Sequence, residues 1–361
     1  MRVLALTRYN SLGSSSRLRF YQYFPYLTSC GMEIKVAPLL GNDYIRRLYS
    51  GASISAFSVV VSYFNRVMQL MSRRSFDLLW IEKELFPWFP AWFERSLAFQ
   101  EIPFVVDYDD AVFHRYDMHA TPVIRAILGK KIDAVMRQAA TVVVGNDYLA
   151  ERARQAGAGR IEYLPSVVDI NRYSIHKETG DKYRIGWIGS PVTAPYLVLI
   201  RDALEAAIKQ MGARLVLVGS GDQDPLPGIE KEISPWSTDT EVAHIQSFDV
   251  GIMPLPDGPF ERGKCGYKLV QYMACGLPVI ASPVGVNSCI VEQGKTGYLA
   301  SNTEEWLQAL VRLSQNASLG SDMGKVGRMK VEQEYSLQVT APRLLEILTD
   351  AVSHQKSVRG N

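Results

Sequence analysis

The chain has 361 residues, 47% hydrophobic and 21% charged, with a formal net charge of +2. That length exceeds one ordinary core and predicts two globular domains, while the composition excludes a disordered chain and the charge is too small for nucleic acid as a main partner. Its four cysteines, Cys30, Cys265, Cys275 and Cys289, have neither Cys-x-x-Cys spacing nor a histidine pattern, which argues against structural zinc and a disulfide framework and points to a reducing, cytoplasmic setting.

The opening stretch MRVLALTRYNSLG reads as a strand and turn rather than a signal peptide, and no apolar run approaches the ~20 residues that span a bilayer. A small-residue loop through Gly13 leads to Arg17 and an amphipathic helix over residues 17–30. A strand, such a loop and a cation in the first helical turn form a candidate anion site at Gly13 to Arg17; the alternative is a plain strand-to-helix turn. Residues 33–39 predict a strand, 52–71 a long helix, and 77–81 a buried strand that empties onto Glu82, Lys83 and Glu84. Residues 85–93, LFPWFPAWF, are unusually aromatic for a connection and lie near Arg73, Arg74 and Arg95 in sequence. This suits a peripheral membrane contact through 85–95 beside anionic head groups, as against a core helix interrupted by prolines.

Residues 103–106 predict a strand that delivers Asp107, Asp109 and Asp110, then His114, Arg115 and Asp117. The carboxyl end of a strand is where an open α/β sheet places chemistry. Crowded carboxylates raise at least one pKa, so one member can serve as a general base or hold a hydroxyl. The alternative is a helix-capping cluster ahead of Ala111. A helix at 124–137, a strand at 141–144 and a helix at 147–155 follow, and the polar stretch 174–182 is the best linker.

The strand–helix rhythm restarts at 184–189. Gly189 lets backbone approach a ligand, and the Ser190 and Thr193 hydroxyls can donate to phosphate oxygens. A helix at 196–211 and a strand at 214–219 come next. The glycines after that strand are no dinucleotide fingerprint, because Asp224 occupies the third position. Trp236 precedes a helix at 240–246 and a strand at 248–253. Arg262, Lys264 and Lys268 then form a basic loop running into a short helix, 269–275, that stops at Gly276 before the apolar run 278–281. Cations collected beside a helix N-terminus favour a diphosphate, with Lys268 as a point charge and Arg262 as a fork. The last helix, 337–353, is amphipathic.

The segment KLVQYMACGLPVIAS at 268–282, followed by Gly285 and by GKTGYL at 294–299, resembles the donor-binding region of GT-B glycosyltransferases, most closely family 4. The resemblance is strongest over residues 184–335. It implies an α/β fold of two Rossmann-like, doubly wound domains facing a central cleft: an acceptor domain at 1–173, a nucleotide-sugar domain at 174–335, and a C-terminal helix, 336–361, returning to the first. It also implies a hexosyltransferase that moves a sugar with retention from a nucleotide-diphosphate donor; the aromatic stretch 85–93 points to a glycan or lipid-linked acceptor. The setting would be cell-surface polysaccharide or glycoconjugate synthesis at the inner face of the cytoplasmic membrane, without metal or other cofactor.

By the same resemblance, Gly13 and Arg17 approach the donor or acceptor, and Asp109 or Asp110 faces the sugar. Trp236 lies beside the nucleotide base. Family members usually carry an Arg and a Lys after the 184–189 strand; here Arg262, Lys264 and Lys268 supply that charge, and Lys268 assists departure of the diphosphate. The family's ribose-holding Glu is Gln271 in this chain, and the Glu that touches the sugar falls on Gly263. Gln271 can hydrogen-bond a diol without charge assistance. These two replacements suggest a rival, a sugar-nucleotide-binding partner subunit without turnover. A second rival is a metal-dependent transferase using Asp107 and Asp109 as an Asp-x-Asp site.

Overall fold

The computed structural model describes residues 1–71, 73–98, 102–175 and 182–359. Their contacts divide into two units, Met1–Ser166 with Gly263–Cys265 and the chain from Thr340, and Val167–Arg262 with Gly266–Val339.

The first unit is built on a parallel sheet of β1 (Arg2–Leu6), β2 (Glu33–Val36), β3 (Leu78–Glu82), β4 (Phe104–Tyr108), β5 (Thr141–Val144) and β6 (Ile161–Tyr163). Their order is β2-β1-β3-β4-β5-β6. Every residue of β3, β4 and β5 is buried, as expected where helices cover both faces of a parallel sheet. The second unit repeats the plan with β7 (Arg184–Ile188), β8 (Arg214–Val218), β9 (Lys231–Ser234), β10 (Val250–Met253), β11 (Val279–Ala281) and β12 (Gly297–Leu299), in the order β12-β11-β10-β7-β8-β9. The strand order therefore reverses between β1 and β3 in one sheet and between β7 and β10 in the other.

Several elements differ from the sequence reading. The helix expected over 17–30 is three pieces, Ser14–Arg19, a 3-10 turn at Tyr21–Tyr23, and Phe24–Ser29. Pro25 can start a helix but cannot continue one, so the new helix begins there. The helix expected at 124–137 is likewise two, Pro122–Leu128 and Lys131–Gln138, separated at Gly129. The first unit ends at Ser166 rather than 173, because Val168 donates to Tyr335 O (3.1 Å) and accepts from Leu337 N (2.8 Å), tying this stretch to the second unit. From Thr340 the final helix, Leu337–Arg359, groups with the first unit, where Thr340 meets the Tyr23 hydroxyl at 3.1 Å and Asp350 pairs with Arg160 at 3.0 Å. Most of the linker expected at 174–182 lies outside the described residues. No described helix is long and apolar enough to cross a membrane.

Candidate active site

Open parallel sheets bind ligands outside the carboxyl ends of their strands, where strand order reverses. In the second unit Gly189 follows β7 at that point, and the turns after β8 and β9 reach it. A Cβ on Gly219 would stand 2.6 Å from Gly189 O and 2.9 Å from Trp236 Cβ, and its φ is 76°, so only glycine lets these three turns meet. A Cβ on Gly189 would lie 2.4 Å from the Trp187 indole and 2.9 Å from Lys268 Cε. Lys268, in the first turn of the helix Tyr267–Ala274, carries its ammonium 5.5 Å from the centroid of the Trp187 ring. That contact holds the charge beside a helix N-terminus and the Gly189 backbone.

The other donor-site residues are more engaged than the sequence suggests. The Ser190 amide donates to Thr193 Oγ1 (3.4 Å), and that hydroxyl donates back to Ser190 O (3.2 Å), closing a local turn. The Arg262 fork clasps Asp257 at 2.6 and 3.0 Å in an exposed pair. Lys264 groups with the first unit rather than with Arg262 and Lys268.

Gln271 is buried and donates to the Tyr173 hydroxyl (2.9 Å) and to Glu241 Oε2 (3.4 Å). Glu241, also buried, accepts from Tyr173 (3.3 Å), Arg172 (3.3 Å) and Trp236 Nε1 (3.1 Å). The residue expected to hold a diol is thus one member of a network whose other arm fixes the Trp236 indole. Position 263 has no room for a side chain, since a Cβ would sit 2.5 Å from Ala111 Cβ.

In the first unit, Lys83 follows β3 with a left-handed φ of 63°, a strained conformation for a lysine. Its ammonium lies 2.8 Å from both Asp109 Oδ1 and Asp110 Oδ2 and 3.2 Å from Ser15 Oγ. Ser16 Oγ donates to Glu82 Oε2 at 2.6 Å. The Ser15 and Ser16 hydroxyls beyond Gly13 are therefore engaged within the chain, by the Lys83 ammonium and the Glu82 carboxylate. Arg17 stands half-buried on the first helical turn. Asp107 is clasped by Arg19 at 2.7 and 3.2 Å, with both carboxylate oxygens taken, which leaves no open edge for the Asp-x-Asp metal pair. Asp110 Oδ1, by contrast, is a buried oxygen with no hydrogen-bond partner among the described residues. Both ring nitrogens of His114 are engaged, with Asp117 and Tyr148, each at 2.8 Å.

The crowding of carboxylates acts otherwise than expected. Burial pushes the Asp107 carboxyl up to about 6 against the pull of Arg19, but Asp107 is the member locked in an ion pair. Burial would raise Asp110 too, yet the Lys83 ammonium, with Arg115 and Lys264, outweighs it and brings Asp110 down to about 2. Asp110 is accordingly a fixed anion that can accept a hydrogen bond, and a poor general base at neutral pH. A depressed carboxylate pKa stabilises the fold above its unfolded value near 3.8 and loses that contribution as pH falls through about 2. Since 20% of the Asp110 side chain stays exposed, water screens part of the effect. Acid titration of stability should therefore be shallower between about pH 4 and 2 in Asp110→Asn than in the parent chain; coincident acid limbs would exclude the Lys83 pairing.

Lys83 and Glu241 were not singled out from the sequence as site residues. The signal for Lys83 was its place at the end of a buried strand, but its partners are 26 and 27 positions away.

Residues 182–316 match the model of the family Glycosyl transferases group 1. The matched stretch holds Gly189, Trp236, Lys268 and Gln271. D-inositol 3-phosphate glycosyltransferase of Paenarthrobacter aurescens is 30% identical over 129 residues, 35% of this chain and 28% of the relative. A GDP-mannose-dependent monoacylated alpha-(1-6)-phosphatidylinositol monomannoside mannosyltransferase of Corynebacterium glutamicum is 26% identical over 212 residues, 52% of this chain and 55% of the relative. The matches thus span from 28% to 55% of these two relatives' length. In fold the chain is similar to sucrose-phosphate synthase from Thermosynechococcus elongatus, with a TM-score of 0.73 at 14% identity, covering 98% of this chain and 100% of that one. Alr3699/HepE of Anabaena, solved with UDP-glucose, has a TM-score of 0.70 at 14% identity and covers 97% of this chain and 100% of its own. The fold is therefore the two-sheet α/β architecture of GT-B glycosyltransferases.

Proposed function

We propose that the protein is a glycosyltransferase that takes a nucleotide-diphosphate sugar on its group 1 domain. The observation that carries this reading is the meeting of Gly189, Gly219, Trp236 and Lys268 at the strand-order reversal of the second sheet. Lys268 and the backbone at 189–190 bind the diphosphate, Trp236 lies against the base, and Gln271 supports both through Glu241 and Tyr173. Arg262, in the same unit, adds positive charge without a direct clasp, whereas Lys264 groups with the first unit. In the first unit Asp109 and Asp110, held by Lys83, accept hydrogen bonds from an acceptor hydroxyl. Gly13 and Arg17 belong to that acceptor side.

A cation at the leaving diphosphate favours charge that grows in the transition state, so it raises turnover rather than binding alone. The transfer proceeds with retention and without metal at the leaving group, to a glycan or lipid-linked acceptor in cell-surface polysaccharide or glycoconjugate synthesis. UDP-sugars are the first donors to test, because a protein of the same fold is known in complex with UDP-glucose.

Isothermal titration with UDP, UDP-glucose and GDP-mannose tests the donor site. One nucleoside diphosphate should bind, and Gly189→Val, which displaces Trp187 and Lys268, should weaken it by about tenfold or more. Equal affinity in the variant would remove the site from β7. The partner-subunit reading is favoured by the crowding at Gly263 and by the engaged Gln271. It predicts the same binding with no release of UDP or GDP when acceptor is supplied.

A further inference from the structure

The helix expected over 52–71 is Ala56–Met71, and of its 16 residues only Arg66 and Leu70 are buried. Arg66 reaches inward to Thr7 O (2.6 Å) and Ala37 O (3.0 Å), which fixes the helix's rotation. At about 100° per residue, Phe57, Val60, Phe64, Met68 and Met71 then fall within an arc of about 100° on the opposite side. All five are exposed, Phe57 by 77% and Phe64 by 63%. A soluble surface has no use for such a stripe unless something covers it.

The stripe is continuous with the aromatic connection after β3. Tyr63, on its flank, donates to Pro87 O at 2.9 Å and packs against Phe86 and Phe89, with ring centroids 5.8 and 5.6 Å apart. Beyond them Trp88 and Trp92 stand 50% and 66% exposed. Trp88 is held in a left-handed conformation, φ 66°, with its backbone N–H donating to the Tyr116 hydroxyl at 3.1 Å, so the fold maintains strain at a half-exposed tryptophan. The exposed charges among the described residues 42–98 are Arg46, Arg47, Arg74 and Arg95 against Asp77 and Asp43, the latter paired with Arg46 at 2.8 Å.

From these observations we infer that the helix Ala56–Met71 and the connection at 85–93 form one surface that docks on an anionic lipid bilayer. The helix lies in the plane of the interface with its Phe and Met side chains among the acyl chains, Trp88 and Trp92 sit at head-group level, and the arginines pair with lipid phosphates. A protein partner or a second copy would need no excess of exposed arginine over exposed acid in these segments; lipid phosphate does. The inference stands on this surface and does not depend on the donor-site reading.

The test is co-sedimentation of the full chain with phosphatidylcholine vesicles containing or lacking phosphatidylglycerol. Binding should require phosphatidylglycerol, and should fall by about tenfold or more in Phe57→Ser/Phe64→Ser, because apolar insertion and charge attraction act together. Fluorescence of Trp88 and Trp92 should shift to the blue on anionic vesicles and be quenched by brominated lipid. Both substitutions lie on exposed positions, and an unchanged circular dichroism melt identifies a folded variant. If the parent chain ignores anionic vesicles, if the double variant binds them equally, or if sedimentation shows a dimer that only the double variant dissolves, the inference is overturned. Nucleotide titration of the same double variant keeps this outcome distinct from a failure of the donor site.

Discussion

Replacing Lys268 by alanine should lower kcat/KM for sugar transfer by about 100-fold or more while leaving the fold intact. Its ammonium is placed by three features: the first turn of the helix Tyr267–Ala274, the Trp187 ring at 5.5 Å, and the close approach to Gly189. The cation–π contact is worth roughly 1 kcal/mol, so loss of structure cannot account for a loss of that size. The change should appear in kcat as well as KM, because the charge acts on a leaving group that becomes more negative as the bond breaks. Lys268→Arg should rescue poorly, since a guanidinium spreads its charge over a planar fork that can stay stacked on Trp187, whereas the ammonium is a compact point charge. Steady-state assays of diphosphate release check this, and a variant changed only in KM would mean that Lys268 binds donor without assisting transfer.

Gln271→Glu should destabilise the second unit by about 2–4 kcal/mol, although it restores the residue usual in the family that this stretch resembles. In this chain the amide of Gln271 is a donor, to Tyr173 and to Glu241. A glutamate would turn that donor into a second carboxylate facing buried Glu241, and like charges in a buried site repel strongly. Glu241→Gln alone should also cost stability, because its carboxylate serves Arg172, Tyr173 and Trp236 at once. The exchange Gln271→Glu/Glu241→Gln puts donor and acceptor back in opposition and should recover about 1 kcal/mol or more of the summed loss. Urea titration of the four proteins measures the coupling; strict additivity would show that these two side chains do not interact.

Legibility from sequence followed the range of the interactions. The strand–helix alternation, the helix stopped at Gly276 and the small-residue turn at Gly189 are local patterns, and they announced two doubly wound units; the basic loop expected in the second is divided, with Lys264 grouping with the first. Interactions that cross the sequence were not readable. Lys83 finds Asp109 and Asp110 only because β3 and β4 are neighbours in register, Glu82 opposite Asp107. Glu241 gathers side chains from positions 172, 173, 236 and 271. Helical period alone could not tell whether Phe57 and Phe64 point inward, because an apolar stripe has the same spacing on a core helix and on one lying in an interface. The burial of Arg66 settles the rotation, and nothing in the sequence pattern announces a buried arginine.

The most direct test of the donor site is a crystal structure of the chain with the nucleotide sugar that titration selects. The diphosphate should lie within about 3 Å of Lys268 Nζ and of the backbone amides at 189–190, with the base against Trp236. A ligand bound away from the carboxyl end of β7, with Lys268 still resting on Trp187 and touching no phosphate, would contradict the account.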